Sequence, residues 1–161
     1  MSEAVTLPPE EIAAEEQVPT RRILVFVLGR RQFASDMDAF REIIPTRQTT
    51  RLPGAPSTVS GLINLRGAIV TVLDGGVLLG GDPCVKRGGL TLLVECDGRH
   101  VGFGVDDVKD IHDVPLTEFV GAEPSEAPEM QGVTSLVEIE GKRVLVLDVR
   151  SVARKVIGQR G

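Results

Sequence analysis

Apolar and polar positions come in short blocks along this chain, and glycine punctuates them. Ile23–Leu28 is an apolar run that Gly29-Arg30-Arg31 turns back into Gln32–Ala34. Leu90–Cys96 is a second such run, and Asp97-Gly98, a strong hairpin signal, leads into His100–Val105. The stretch GLINLRGAIVTVLDGGVLLG, Gly61–Gly80, reads as strand, turn at Arg66-Gly67, strand, and then an abrupt Asp-Gly-Gly. A fourth hairpin spans GVTSLVEIEGKRVLVLDV, residues 132–149. Helical spacing enters at the C-terminus. There Val149, Val152, Ala153, Val156 and Ile157 share a face opposite Arg and Lys, which predicts an amphipathic helix over about 148–158. Asp36–Ile44 predicts one or two helical turns with Met37, Phe40 and Ile44 on one face, stopped by Pro45. Pro124 and Pro128 predict a mobile surface loop over Ala122–Gln131.

The hairpins come as a repeated pair. LVFVLGRRQFASDMDAFREI, from Leu24, and LVECDGRHVGFGVDDVKDI, from Leu93, share Leu-Val, a Gly-Arg turn and an acidic-aliphatic close, with Glu42-Ile43 answering Asp110-Ile111. GLINLRGAIVTVLD aligns with residues 132–149 when Leu65 is set against Leu136 and the second turn is made three residues longer. A unit that occurs twice is no solenoid. It predicts two similar small β-barrels in tandem: an all-β fold with minor helix, the first barrel over about 22–88 and the second over about 89–148.

Composition narrows the class. The 161 residues include five Phe and no Trp or Tyr, so Val, Leu and Ile must build the core, which favours strands. The two cysteines, Cys84 and Cys96, are too few for a disulfide framework, no apolar run reaches membrane-spanning length, and the N-terminus lacks a secretory pattern. The expectation is a cytoplasmic protein without direct membrane insertion. Glu3, Glu10, Glu11, Glu15 and Glu16 carry the whole formal charge of −5 in residues 1–20, which hold no Lys or Arg. That segment reads as a disordered acidic tail before a folded body over 21–161. The body is neutral in sum and lacks the basic stripe of a nucleic-acid binder; the Arg21-Arg22 and Arg30-Arg31 doublets read as solvated strand edges.

Catalytic constellations are missing from the pattern. His100 sits in a strand and His112 near a strand end, neither beside a candidate nucleophile in sequence. The cysteines have no zinc spacing, the glycines at 102 and 104 lack the strand-to-helix context of a nucleotide site, and Asp106, Asp107, Asp110 and Asp113 lack calcium-loop spacing. No enzyme, metal or cofactor is expected; binding remains. Arg66 stands out, a guanidinium at the end of an apolar strand: either it exposes its head in the hairpin turn, or it pairs with Glu42 as counter-ion, the pair then being at least partly shielded from water. An unrelated small-barrel peptide or nucleic-acid module is the competing class, but five Phe and a neutral body give bases little to stack on.

GLINLRGAIVTVLD resembles the hallmark of the CheW family, a Gly-[Leu/Val]-x-Asn-Leu-Arg-Gly turn before an apolar strand that ends in aspartate. FREII at 40–44, DGRHVGFGVDDVKDI at 97–111 and GKRVLVLDV at 141–149 are similar to that family in order, so the resemblance covers about 22–157. It implies paired five-stranded SH3-like barrels and a non-catalytic adaptor in chemosensory signal transduction. Such an adaptor binds chemoreceptor cytoplasmic tips and couples them to the regulatory domain of a histidine autokinase. Carried over position by position, the receptor-binding groove comprises Phe40, Glu42, Ile43, Arg66, Thr91, Gly102 and Val108.

The chain departs from the family at Asp74-Gly75-Gly76, where members often read Asp-Leu-Arg, and at Phe33–Met37, where a more apolar run is usual. The first departure implies a kinase-facing surface at Asp74, Gly75 and Gly76 that lacks a large apolar side chain and a cation and gains backbone freedom. The alternative reading is therefore a divergent member that binds receptor but not the kinase.

Overall fold

The structure, a computed structural model, describes residues 18–121 and 132–158. The acidic tail expected over 1–20 lies outside the described residues up to residue 17, while Thr20 already begins a strand, and the loop expected over 122–131 lies wholly outside them.

Among the described residues, eleven strands form two sheets: β1 Thr20–Leu28, β2 Arg31–Asp36, β3 Phe40–Pro45, β4 Val59–Leu65, β5 Ala68–Asp74, β6 Leu90–Cys96, β7 Arg99–Val105, β8 Asp107–Pro115, β9 Val120–Gly121, β10 Val133–Ile139 and β11 Lys142–Leu147. Helix α1 is one turn, Gly75–Leu78, and α2 runs Val149–Gly158. The first sheet has the order β8-β1-β2-β11-β10-β9 and the second β3-β6-β7-β5-β4. This is the mostly β architecture of two SH3-like barrels with a short C-terminal helix.

Four hairpins rest on local turn chemistry. Arg66-Gly67, Asp97-Gly98 and Glu140-Gly141 each place both central residues at positive φ, as a two-residue turn matched to strand twist requires. At the β1–β2 turn only the first residue, Gly29, does so (φ 63). The second pair of hairpins is therefore of equal length, and Leu62, not Leu65, answers Leu136. The three residues that the sequence alignment assigned to a longer turn lie elsewhere.

The duplication is visible in the registers. Leu24↔Ile111 and Phe26↔Val108 in the first sheet match Leu92↔Ile43 and Val94↔Phe40 in the second. Val133↔Leu147 and Ser135↔Val146 match Val59↔Leu73 and Gly61↔Val72, down to the same bulge. Parallel pairing of β11 with β2 matches that of β5 with β7.

The strands do not sort by halves, however, which corrects the division at residues 88 and 89. The first sheet takes β1 and β2 from the first repeat and β8, β10 and β11 from the second; the second sheet takes the reciprocal set. A hairpin needs only its own turn, but the edge beside β1 is filled by β8 and that beside β6 by β3. Neither sheet can close from one contiguous half.

Packing follows from that exchange. Strand β1 is buried on both faces, which is why it reads as a continuous apolar run: Ile23 and Val25 join Val114, Val137 and Val144 inside the first barrel, while Leu24, Phe26 and Leu28 meet the second sheet. Phe26 stacks near Phe33 (6.2 Å between centroids) and edge-on to Phe103 (6.0 Å), so three of the five phenylalanines join the two sheets. Helix α2 lays Ala153 and Val156 on Val59, Leu73, Cys96 and Val101 of the second barrel. Asp148 caps it by accepting from the Ser151 N–H at 3.1 Å, and Arg150 donates to the carbonyls of Glu95 (3.0 Å) and Asp38 (2.7 Å).

Helical turns expected over Asp36–Ile44 end early. Only Met37–Ala39 is helical, a 3-10 turn, and Phe40–Pro45 is strand. Pairing with β6 buries Phe40 and Ile44, and Pro45 closes an edge strand. Among the described residues no helix is long and apolar enough to cross a membrane.

Candidate functional site

The Asn64-Leu65-Arg66-Gly67 turn holds itself together. The Asn64 side-chain carbonyl accepts from the Gly67 N–H at 2.9 Å, and Arg66 sits at φ 50 beside Gly67 at φ 88. The turn tip lies at the seam where the second barrel closes, because β3 and β4 are its two edge strands. Residues 46–50 cross that seam: Thr50 and Leu62 exchange backbone bonds at 2.8 Å, Arg47 donates to the Asn64 carbonyl at 3.1 Å, and Thr49 donates to the Ser60 carbonyl at 3.2 Å.

Arg66 spans the same seam to Glu42 on β3, with contacts of 2.5 and 3.3 Å. The hydrogen bond from Arg66 holds the Glu42 carboxyl below its ordinary range, and the same bond raises the guanidinium. Arg66 is open to water at 66% and Glu42 is half-buried at 38%, so the shielding is slight and on the carboxylate side, and water screens the pair. Its effect is orientation: the guanidinium is held at Glu42 on the β3 edge.

The seven groove residues divide by burial. Ile43 on β3 is 40% exposed, Glu42 precedes it on the same strand and pairs with Arg66 across the seam, and Val108 on β8 is half-buried. Phe40, Thr91 and Gly102 are interior, which removes them from direct contact. A Cβ on Gly102 would stand 2.9 Å from the Thr91 side chain and 3.2 Å from Val72, so that glycine lets β6 and β7 pack. Thr91 shares a hydroxyl contact of 3.1 Å with Thr46. Ile111, the register equivalent of Ile43, is 52% exposed on β8; the Glu42-Ile43 and Asp110-Ile111 correspondence in the sequence was the signal for it.

Asp74, Gly75 and Gly76 are also buried, and here the expectation of a kinase-facing surface with added backbone freedom must be corrected. Asp74 caps α1 through Val77 N–H (3.2 Å) and accepts from the N–H groups of Cys84 (3.0 Å) and Val85 (3.1 Å). A Cβ on Gly75 would lie 2.4 Å from the Gly104 carbonyl oxygen, and one on Gly76 2.0 Å from that of Asp82. The glycines are there for close packing under the carboxylate. They present nothing to a partner.

Among the described residues, the titratable candidates singled out in the sequence stand apart. His100 is exposed, and the buried Cys84 thiol donates to the Gly104 carbonyl at 3.2 Å. Burial pushes that thiol up to about 12, far from a working nucleophile. Among the described residues no cluster of His, Cys, Asp or Glu fits a metal ion.

Comparison with known proteins decides the family. The family model described as CheW-like domain matches residues 22–156. The chain belongs to the CheW-like family. The chemotaxis protein CheW of Rhizobium meliloti (strain 1021) is 30% identical over 137 residues, covering 82% of this chain and 86% of that protein. Protein PilI of Pseudomonas aeruginosa is 28% identical over 108 residues, 66% of this chain and 61% of its own. The scaffolding protein TtCheW from Thermoanaerobacter tengcongensis shares the fold, with a TM-score of 0.74 at 23% identity over 83% of this chain and 92% of that one. That family is one of non-catalytic scaffolds, and its members support a chemotaxis coupling adaptor role for the chain.

Proposed function

We propose that this adaptor binds the cytoplasmic tip of a chemoreceptor along the β3 edge and couples it to the regulatory domain of a histidine autokinase. The observation that carries this is the seam itself: the edge strand β3 exposes Ile43 and, at the preceding position, holds the Arg66 guanidinium through Glu42. An apolar contact flanked by one oriented cation and one carboxylate suits an amphipathic helix laid in a groove. Phe40, Thr91 and Gly102 set the strand positions from beneath, and Val108 on β8 of the other sheet is half-buried. The reaction performed is assembly alone.

Kinase coupling remains in the proposal because the Asp74-Gly75-Gly76 step is internal and subtracts no surface side chain. The test is titration of purified receptor tip and kinase regulatory domain, each alone, against the chain and its Ile43→Asp variant. Ile43→Asp is preferable to a change at the buried Phe40, which would unfold the strand. Receptor binding should weaken at least tenfold, with kinase binding unchanged. Equal receptor affinity for both proteins would remove the β3 edge from the account, and absent kinase binding would favour an adaptor that engages receptor alone.

A further inference from the structure

Among the described residues the chain passes between the sheets twice, from β2 into β3 and from β7 into β8. The repeat makes the two crossings equivalent: Phe40↔Val94 matches Val108↔Phe26, so Asp38, before β3, answers Asp106, before β8. A bulge follows Phe40 on β3 and Val108 on β8, which cuts the entering residues off from the rest of each ladder. Each entry therefore needs an anchor of its own. At the first crossing Arg150 of α2 supplies it, donating to the carbonyls of Asp38 (2.7 Å) and Glu95 (3.0 Å) and facing the Asp38 carboxylate at 3.8 Å. Leu73 answers Leu147 in the registers, so the place of Arg150 is taken in the first repeat by Gly76, which has no side chain to offer.

Arg87 fills that gap from another position. Its guanidinium donates to the Asp106 carboxylate at 2.7 Å and to the Pro83 carbonyl. The loop that carries it is fastened to the second barrel, because the Cys84 and Val85 N–H groups donate to Asp74. The other Asp106 oxygen accepts from the Gly29 N–H of the β1–β2 turn at 2.6 Å, and the Asp106 N–H donates to the Val27 carbonyl at 3.0 Å. One carboxylate thus ties the first sheet to the loop of the second barrel. We propose that the Arg87–Asp106 pair is a relocated clamp that positions the entry of β8, and with it Val108, as Arg150 does for the entry of β3. Both are positioning residues and need touch no partner. The pair is partly solvated, at 47% for Arg87 and 22% for Asp106, so it fixes a direction more than it adds stability. Its consequence for binding rests on the receptor-docking reading, in which Val108 is the groove position on β8.

The test places nitroxides on Ile69→Cys in β5 and Lys109→Cys in β8, both exposed positions, the native Cys84 and Cys96 being buried. The Ile69–Lys109 distance distribution, read by double electron–electron resonance, should widen at least twofold in Arg87→Ala and in Asp106→Ala. It should stay narrow in Arg87→Lys, which keeps a charged donor. A control pair, Ile69→Cys with Glu138→Cys on β10, should keep its width throughout. In the unlabelled chain, receptor-tip affinity should fall about threefold with Arg87→Ala, the size of a partly screened ion pair, and recover with Arg87→Lys. Unchanged Ile69–Lys109 widths in both alanine variants, equal widening of the control pair, or no rescue by lysine would overturn the clamp. Widened distances with receptor affinity unaltered would overturn its role in docking. A parent chain that binds no receptor tip would refute the docking reading, and the distances would still decide the clamp.

Discussion

Gly76→Ala sets two effects of opposite sign against each other. Gly76 is the second residue of α1, and alanine inside a helix is favoured over glycine by about 1 kcal/mol. Against this, the new Cβ would lie 2.0 Å from the Asp82 carbonyl oxygen, a backbone atom that cannot rotate away. Relief requires the Asp82 segment to retreat by about an ångström. That segment is fastened at both sides: Gly81 N–H donates to the Gly76 carbonyl at 2.7 Å, and Cys84 N–H donates to Asp74 at 3.0 Å. Overpacking of this kind costs about 1–3 kcal/mol, and loosening one charge-assisted bond adds about 1.5–3 kcal/mol. The clash outweighs the propensity, for a net loss of about 2 kcal/mol. In a domain of this size that lowers Tm by roughly 4–8 °C. Thermal unfolding followed by far-UV circular dichroism measures it, with Gly81→Ala as control because its Cβ would meet nothing closer than 3.4 Å. A Gly76→Ala protein as stable as the parent, or more so, would show that the loop yields freely and that the close-packing account of the Asp-Gly-Gly step is wrong.

Phe26→Ala should cost about 3–5 kcal/mol, since the ring is fully buried between Phe33 and Phe103, and urea unfolding should stay a single transition because the exchanged strands tie both sheets together; two resolved transitions would contradict that coupling. Cys84 should resist alkylation by iodoacetamide in the folded chain while reacting on unfolding. Because its folded thiol is raised to about 12, its contribution to stability is complete below the unfolded thiol's pKa and should fall away as pH rises from about 9 towards 12, which urea midpoints across that range would reveal. For Arg66→Ala and Glu42→Gln, stability should change little and the double-mutant coupling should be small at high salt, since both groups are solvated; the Glu42 carboxyl is lowered, so whatever the pair contributes is present above the ordinary carboxylate range and lost as pH falls through the folded value. A large, salt-independent coupling would mean that the seam excludes water.

Local signals made much of this protein legible before folding. The four hairpins follow from turn residues adjacent in sequence, and the 3.6-residue spacing of Val149, Val152, Ala153 and Val156 specifies α2, because each depends on groups a few positions apart. The repeat, and with it two sheets, was likewise readable from matched hairpins, as was the family motif around Arg66. Tertiary structure alone decided the rest. Phe40–Pro45 is strand because β6 stands beside it, and nothing local distinguishes that from a helical turn. The exchange of β3 and β8 comes from pairing between residues far apart in the chain. Burial, finally, belongs to the whole assembly: it put Phe40, Thr91, Gly75 and Gly76 inside and left Arg66 and Glu42 in water, and only the position of every neighbouring strand determines which side chains a partner can touch.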